Sequence, residues 1–280
     1  MPIDSHRDIT RINYQDTPLD IHYQSFGNED NSVIILLHPS PLSSNFMIPM
    51  LPVFEQKHHV IAWDAPGYGD SSKLSETTQS IEPYIDCLAL FMESLSIDSA
   101  IIYGNATGAQ IAIEFSKKYP DKTVKLLLEN VAWFHDEERA AMLESYFPDL
   151  SPSADGSHLV KTWEIVNNLF KYFPWYDKSE SAKLTTTTPP LDVLQAMFVD
   201  YVKAGSSYAD AYIAAINNER PAQLQAVSVK TDIVLWQDSI IYRFCQRVLN
   251  IELPAHIVIH SVNSGIDNRI AQLTDLISEE

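Results

Sequence analysis

The chain has 280 residues, is 45% apolar, and carries a formal net charge of −18 with histidine neutral. That apolar fraction supports a sizeable core and excludes disorder over most of the length. The acidic balance argues against nucleic acid or an anionic membrane as the main partner.

Residues 10–16 and 19–27 alternate apolar and polar around a break at Thr17-Pro18, which predicts an antiparallel hairpin at a sheet edge. Val33 to Leu37 is continuously apolar, as expected for a strand covered on both faces, and it ends at His38-Pro39-Ser40-Pro41. Residues 43–56 have a helical pattern interrupted by Pro49 and Pro52. A second buried strand, 59–63, runs into Asp64-Ala65-Pro66-Gly67-Tyr68-Gly69-Asp70-Ser71. Ile81, Tyr84, Ile85, Leu88, Phe91, Met92 and Leu95 keep helical spacing, so 80–95 is an amphipathic helix. A strand at 100–103 follows, then a turn with a glycine on each side, a small-residue helix ending near Tyr119-Pro120, and a strand at 123–129.

This alternation of strand and helix predicts right-handed crossovers and a mostly parallel sheet flanked by helices. The rhythm breaks over 136–220, a stretch too long for a plain loop. It carries helical patterns at 137–146, 157–172, 191–203 and 208–218, many aromatic residues, and a loop at Thr185 to Pro190. The expectation is a helical cap over one end of the sheet, with the core domain formed by 1–135 and 221–280. Strands at 232–236 and 255–260 and a helix at 267–279 complete the chain.

The turn Gly104-Asn105-Ala106-Thr107-Gly108 has the form G-x-nucleophile-x-G, which holds its central side chain exposed at the end of a parallel sheet. Its central residue, Ala106, has no nucleophilic atom. Leu36-Leu37-His38-Pro39, the Asp64 to Ser71 segment and this turn occur in the order, and in the strand and helix context, of the α/β-hydrolase fold, which the chain resembles over nearly its whole length. The resemblance implies a nucleophile at 106, an acid after a later strand and a histidine after the last strand. Asp238 is a candidate for the acid, against a helix-capping role, with Glu129 as the alternative acid, while Gly265-Ile266 stands where Gly-His is usual. Some members of the fold read G-x-His-Thr-Gly-Ala at the turn, beside His-Pro-Ser-Pro, with a cap segment similar to Asp155-Gly156-Ser157-His158-Leu159 and Trp163. On that likeness the side chain missing at 106 is a histidine, and the alanine is a substitution.

The remaining chemistry is that of an oxyanion site. The Thr107 N–H opens a helix and the Ser40 N–H is the natural second donor. His38 is a candidate acid or base, against a structural role behind the loop; His158 is a candidate reaching down from the cap, against a helix-capping role for its neighbours. His260 is a candidate replacement for the absent histidine, against a structural role at the end of a core strand. Asn105, Asp64, Trp133 and Trp163 are candidate substrate contacts, Asp64 having a turn-stabilising role as its alternative.

No metal-ligand cluster, phosphate loop or dinucleotide fingerprint is present in the sequence, so no cofactor or metal is expected. Cys87 and Cys245 lie far apart, as reduced thiols of a cytoplasmic protein would; no secretion signal or apolar run of membrane length is evident. The function expected is that of a hydrolase or lyase on a small, largely apolar organic substrate under the cap, acting through oxyanion and acid/base chemistry. A ligand-binding protein without turnover, and an ordinary esterase whose nucleophile is replaced by Ala106, are the alternatives. A homodimer is compatible with these features.

Overall fold

A computed structural model describes residues 6–76, 78–185 and 187–278. Eight strands form one sheet in the order β1-β2-β4-β3-β5-β6-β7-β8. Only the β1/β2 and β2/β4 pairs are antiparallel.

The hairpin of β1 (His6–Tyr14) and β2 (Thr17–Phe26) turns at Gln15 and Asp16, both at positive φ, two residues before the expected break. A two-residue turn of type I′ has positive φ at both centres, which matches the strand twist. Pro18 pairs with Asn13 inside β2, and β4 (His59–Trp63) reaches only Tyr23 to Phe26, so the missing Pro18 N–H breaks no ladder on that side.

β3 (Val33–Leu37) shows how strand parity builds two cores. Ile35 and Leu37 join the layer formed with α2 (Glu82–Ser94) and α3 (Thr107–Lys118), while Ile34 and Leu36 join the opposite layer. That second layer includes Phe54 of α1 (Leu51–Phe54) and Leu273, Leu276 and Ile277 of the C-terminal helix. Where one continuous helix is expected over 43–56, the chain forms a 3-10 turn, Ser44–Met50, before α1. Pro49 and Pro52 lack the N–H that an uninterrupted α-helix requires.

β5 (Ala100–Asn105) leads into α3 and β6 (Thr123–Glu129) follows. Between β6 and β7 (Thr231–Trp236) lie α4 (Asp136–Ser145), α5 (Ser157–Leu169), α6 (Leu191–Ala204), α7 (Asp210–Asn218) and the short α8 (Pro221–Gln225). After β7 come α9 (Tyr242–Cys245), the edge strand β8 (Ile257–Val262) and α10 (Ile266–Ser278). Cys87 and Cys245 are buried free thiols. Among the described residues no helix is long and apolar enough to cross a membrane.

Candidate active site

The site begins with the turn from β5 to α3. Ala106 adopts φ 51° and ψ −110°, a sparsely populated conformation for a residue with a Cβ, at a cost of roughly 1–3 kcal/mol. It is held there from both sides. Its N–H donates to the Glu129 carbonyl (3.1 Å), and its carbonyl accepts from the N–H groups of Ala109 (2.9 Å) and Gln110 (3.1 Å). The flanking glycines are fixed by crowding: a Cβ on Gly108 would lie 2.1 Å from the Leu37 carbonyl oxygen, and one on Gly104 would lie 2.6 Å from that of Gly108. The backbone is that of a nucleophile turn, and a methyl group stands at its tip.

Ala106 opens into a cavity of 580 Å³. Ser40, Leu42 and Phe46 line it from the loop after β3, and Asn105 and Thr107 line it from the turn. Tyr146, Phe170, Phe173, Tyr201 and Tyr212, with Met197, contribute a largely aromatic wall from the segment between β6 and β7. Thr107 is the first residue of α3, so its N–H has no carbonyl partner within the helix and faces the positive end of the helix dipole. Burial pushes the phenols of Tyr146, Tyr201 and Tyr212 above their ordinary range, which keeps them neutral hydrogen-bond donors; Tyr212 donates to the Tyr146 oxygen at 3.2 Å.

Asp238 also lines the cavity, two residues past β7, and its Oδ2 accepts the Gly265 N–H at 2.7 Å. The carboxylate therefore lies against the Gly265-Ile266 pair, where the resemblance implies a histidine, and Ile266 lines the cavity there. Ser40, Asn105, Ala106, Thr107 and Asp238 are thus brought together as expected.

The three candidate histidines are elsewhere. His38 is buried behind the loop: its Nδ1–H donates to the Pro39 carbonyl (3.1 Å) and its Nε2 accepts the Ala65 N–H (3.0 Å). With both nitrogens engaged and burial holding its pKa below the usual value, it is a structural ring. His158 does not reach over the turn; its Nδ1 accepts the Ser153 N–H (3.1 Å) at the start of α5. His260 falls inside β8 rather than at its end, because that strand runs two residues further than expected. Its Nε2 pairs with Asp232 (2.7 Å), which also holds Lys125 (2.8 Å), so a rearranged triad through His260 is not formed.

Asp64, Trp133 and Trp163 also stand apart from the cavity lining. The Asp64 carboxylate is buried in its own turn, accepting from Ser44 N–H (2.6 Å), Asp70 N–H (2.9 Å) and His22 Nδ1 (2.7 Å). Trp133 packs on His135, and Trp163, partly exposed on α5, packs on Phe198. His22, Asp64 and Asp70 could present ligand atoms to a metal within 4.8 Å of one another. Cations already occupy that group: Arg7 Nε donates to His22 (3.1 Å) and Lys203 pairs with Asp70 (2.6 Å).

Several cavity groups escape a sequence reading. Arg269 lines the cavity one turn beyond Ile266 on α10 and forms a two-pronged pair with buried Glu129, Nε to Oε1 at 2.9 Å and Nη2 to Oε2 at 2.6 Å. Tyr103 donates its hydroxyl to the same carboxylate. Asn105 Nδ2 approaches the Tyr103 oxygen at 3.3 Å, Asn130 donates to Asn105 at 2.9 Å, and Ser239 donates to Asn130 at 2.6 Å. The network runs from the C-terminal helix behind the turn to the loop after β7. The spacing of Ile266 and Arg269, three apart on one helix face, is the only sequence signal for it. On the opposite side Ser43 donates its hydroxyl to buried Asp200 of α6 (2.9 Å), and burial pushes that carboxyl up to about 6.

Residues 32–164 match the alpha/beta hydrolase fold family. The chain is 30% identical over 121 residues to a 2-hydroxy-6-oxononadienedioate/2-hydroxy-6-oxononatrienedioate hydrolase of Pseudomonas putida, covering 42% of each chain. It is 25% identical over 118 residues to a haloalkane dehalogenase of Psychrobacter cryohalolentis, 41% of this chain and 39% of the relative. The chain thus spans less than half the length of these curated relatives. An epoxide hydrolase mutant of Vigna radiata superposes with a TM-score of 0.70 at 14% identity, over 99% of this chain and 98% of the other, which shows a shared fold. The family match falls on the strands, turn and helix that carry Ala106, and the likeness of fold extends to both ends: the chain has the α/β-hydrolase fold.

Proposed function

We propose that this protein is a hydrolase-fold enzyme, a hydrolase or lyase, acting at a carbonyl of a small, largely apolar molecule held between the sheet and a helical cap formed by α4 to α7. One observation carries the reading: the cavity at Ala106 is lined by Ser40, Thr107 and Asp238, with no nucleophile at the turn and isoleucine at the histidine position. The substrate carbonyl oxygen would accept from the N–H groups of Ser40 and Thr107, each such donor being worth ~3 kcal/mol as charge develops. Asp238 would act as general base, an effect typically of about 10²–10⁴ in rate. In hydrolysis it takes a proton from water as the oxygen attacks the carbonyl carbon. The resulting alkoxide collapses, and the leaving group departs with the proton returned from Asp238. In a lyase reaction the same carboxylate removes a proton from the carbon beside the carbonyl and the donors hold the enolate; the carbonyl then re-forms as the bond to a substituent on the next carbon breaks, and that group leaves with the proton returned from Asp238. The methyl of Ala106 leaves room for that water or carbon where a serine would stand.

A panel of neutral aryl and alkenyl esters, ketones and diketones tests this reading by product formation. Turnover of at least one member is expected, with Asp238→Asn losing about 100-fold or more in kcat while binding changes little. A second reading, ligand binding without turnover, is favoured by the engagement of His38, His158 and His260 in structural contacts. Tight binding without conversion of any member would select it. Turnover unaffected by Asp238→Asn would remove the proposed base.

A further inference from the structure

The charged groups at the polar end of the cavity have an order that bears on what can enter. Arg269 is the cation there, and its charge is already matched. Its Nε and Nη2 edge is taken by Glu129, whose carboxylate is buried beneath the cavity, and Nη2 also approaches the Tyr103 oxygen at 3.4 Å. The Trp236 ring covers the guanidinium with its centroid 5.1 Å from Cζ. Nη1 makes no hydrogen bond to a described residue, so it is the donor edge left to a ligand. Arg269 therefore offers N–H groups without a net charge, because Glu129 balances it at hydrogen-bond distance.

Asp238, which pairs with no cation among the described residues, adds a carboxylate to the same cavity, opposed by the roughly half positive charge at the N-terminus of α3. The sum is slightly negative. A ligand carboxylate entering here would lose its hydration in a largely apolar cavity and gain no free cation in return. A neutral carbonyl meets donors from Arg269, Ser40 and Thr107 and brings no charge to desolvate.

Building on the reading of the cavity as a small-molecule site, we infer that Glu129 is a specificity-determining residue: by neutralising Arg269 from below, it makes the site select uncharged carbonyl compounds and reject carboxylates. Glu129 acts through Arg269 and its side chain does not line the cavity.

The test compares two molecules of nearly the same shape, 4-phenylbutan-2-one and 3-phenylpropanoate, which differ by a methyl group in place of a charged oxygen. Calorimetric titration of the full chain at neutral pH is expected to show the ketone binding at least tenfold more tightly. Glu129→Gln keeps an acceptor for Arg269 but frees its charge, and should improve carboxylate binding at least tenfold. Asp238→Asn, which can still accept the Gly265 N–H, should shift the ratio the same way and serves if the buried variant does not fold. Wild-type protein binding the carboxylate as tightly as the ketone would overturn the charge rule while leaving the cavity reading intact. So would an unchanged ratio in both variants. Binding of neither molecule would overturn the small-molecule reading itself, and this inference with it.

Discussion

Ala106 sits in backbone that its own side chain disfavours, pinned by Glu129 above and by the first turn of α3 below. A residue so held is placed for what projects from it, yet a hydroxyl there would have no histidine beside it, Ile266 standing at that position, and would fill the space of the water that Asp238 is proposed to activate. Ala106→Ser is therefore expected to give no burst of p-nitrophenol from p-nitrophenyl acetate; a stoichiometric burst in stopped-flow would contradict this. Gly108 is constrained by the sheet rather than by chemistry. Gly108→Ala drives a methyl into the Leu37 carbonyl and should cost at least ~3 kcal/mol in urea unfolding. A loss under 1 kcal/mol would mean that the contact between α3 and β3 is looser than described. At this scale the sequence discloses residue types but not where side chains lead. His38, His158 and His260 have the right chemistry for a site, and each is spent on a neighbour that local pattern does not reveal. Arg269 on an amphipathic helix resembles a solvated surface group, because its partner Glu129 lies 140 residues away along the chain.

Among the elements, α6 is tied to the loop after β3 by Ser43 and Asp200. Burial raises the Asp200 carboxyl to about 6, Asp64 adds to the rise, and the Ser43 hydroxyl and Lys203 oppose it. A folded pKa above the ordinary Asp value means that the folded state binds the extra proton. The stabilisation is fully present below about pH 4 and is lost as pH rises through about 6. Asp200→Asn keeps the acceptor for Ser43 and removes the titration. Relative to this variant, wild-type protein should lose roughly 1–3 kcal/mol between pH 4 and pH 7.5, measured by denaturant unfolding at each pH. Parallel pH profiles would show that Asp200 ionises freely. Strands and long helices were the legible part of the chain at this level, since continuous apolar runs and helical spacing follow directly from burial. Ends and turns were less so: positive φ at Gln15 and Asp16, and the prolines that divide 43–56, depend on backbone geometry that residue patterns describe only loosely.

Across the whole molecule, the net charge of −18 is spread over a single sheet and its helices, and like charges destabilise the compact state. Raising NaCl from about 10 to 200 mM screens that repulsion and should raise the melting temperature by a few degrees in calorimetry. A melting point that falls with salt would mean that surface ion pairs such as Arg11–Asp20 outweigh the repulsion. The same scale holds the central claim, because the cavity draws on the loop after β3, the turn after β5, the helices between β6 and β7, and α10. A crystal structure of the wild-type chain soaked with 4-phenylbutan-2-one tests it most directly. The ketone oxygen is predicted between the backbone N–H groups of Ser40 and Thr107, about 3 Å from each nitrogen, with the phenyl ring against Tyr146, Phe173 and Tyr212. A ketone bound with its oxygen turned away from both N–H groups, or bound outside the cavity, would contradict the account.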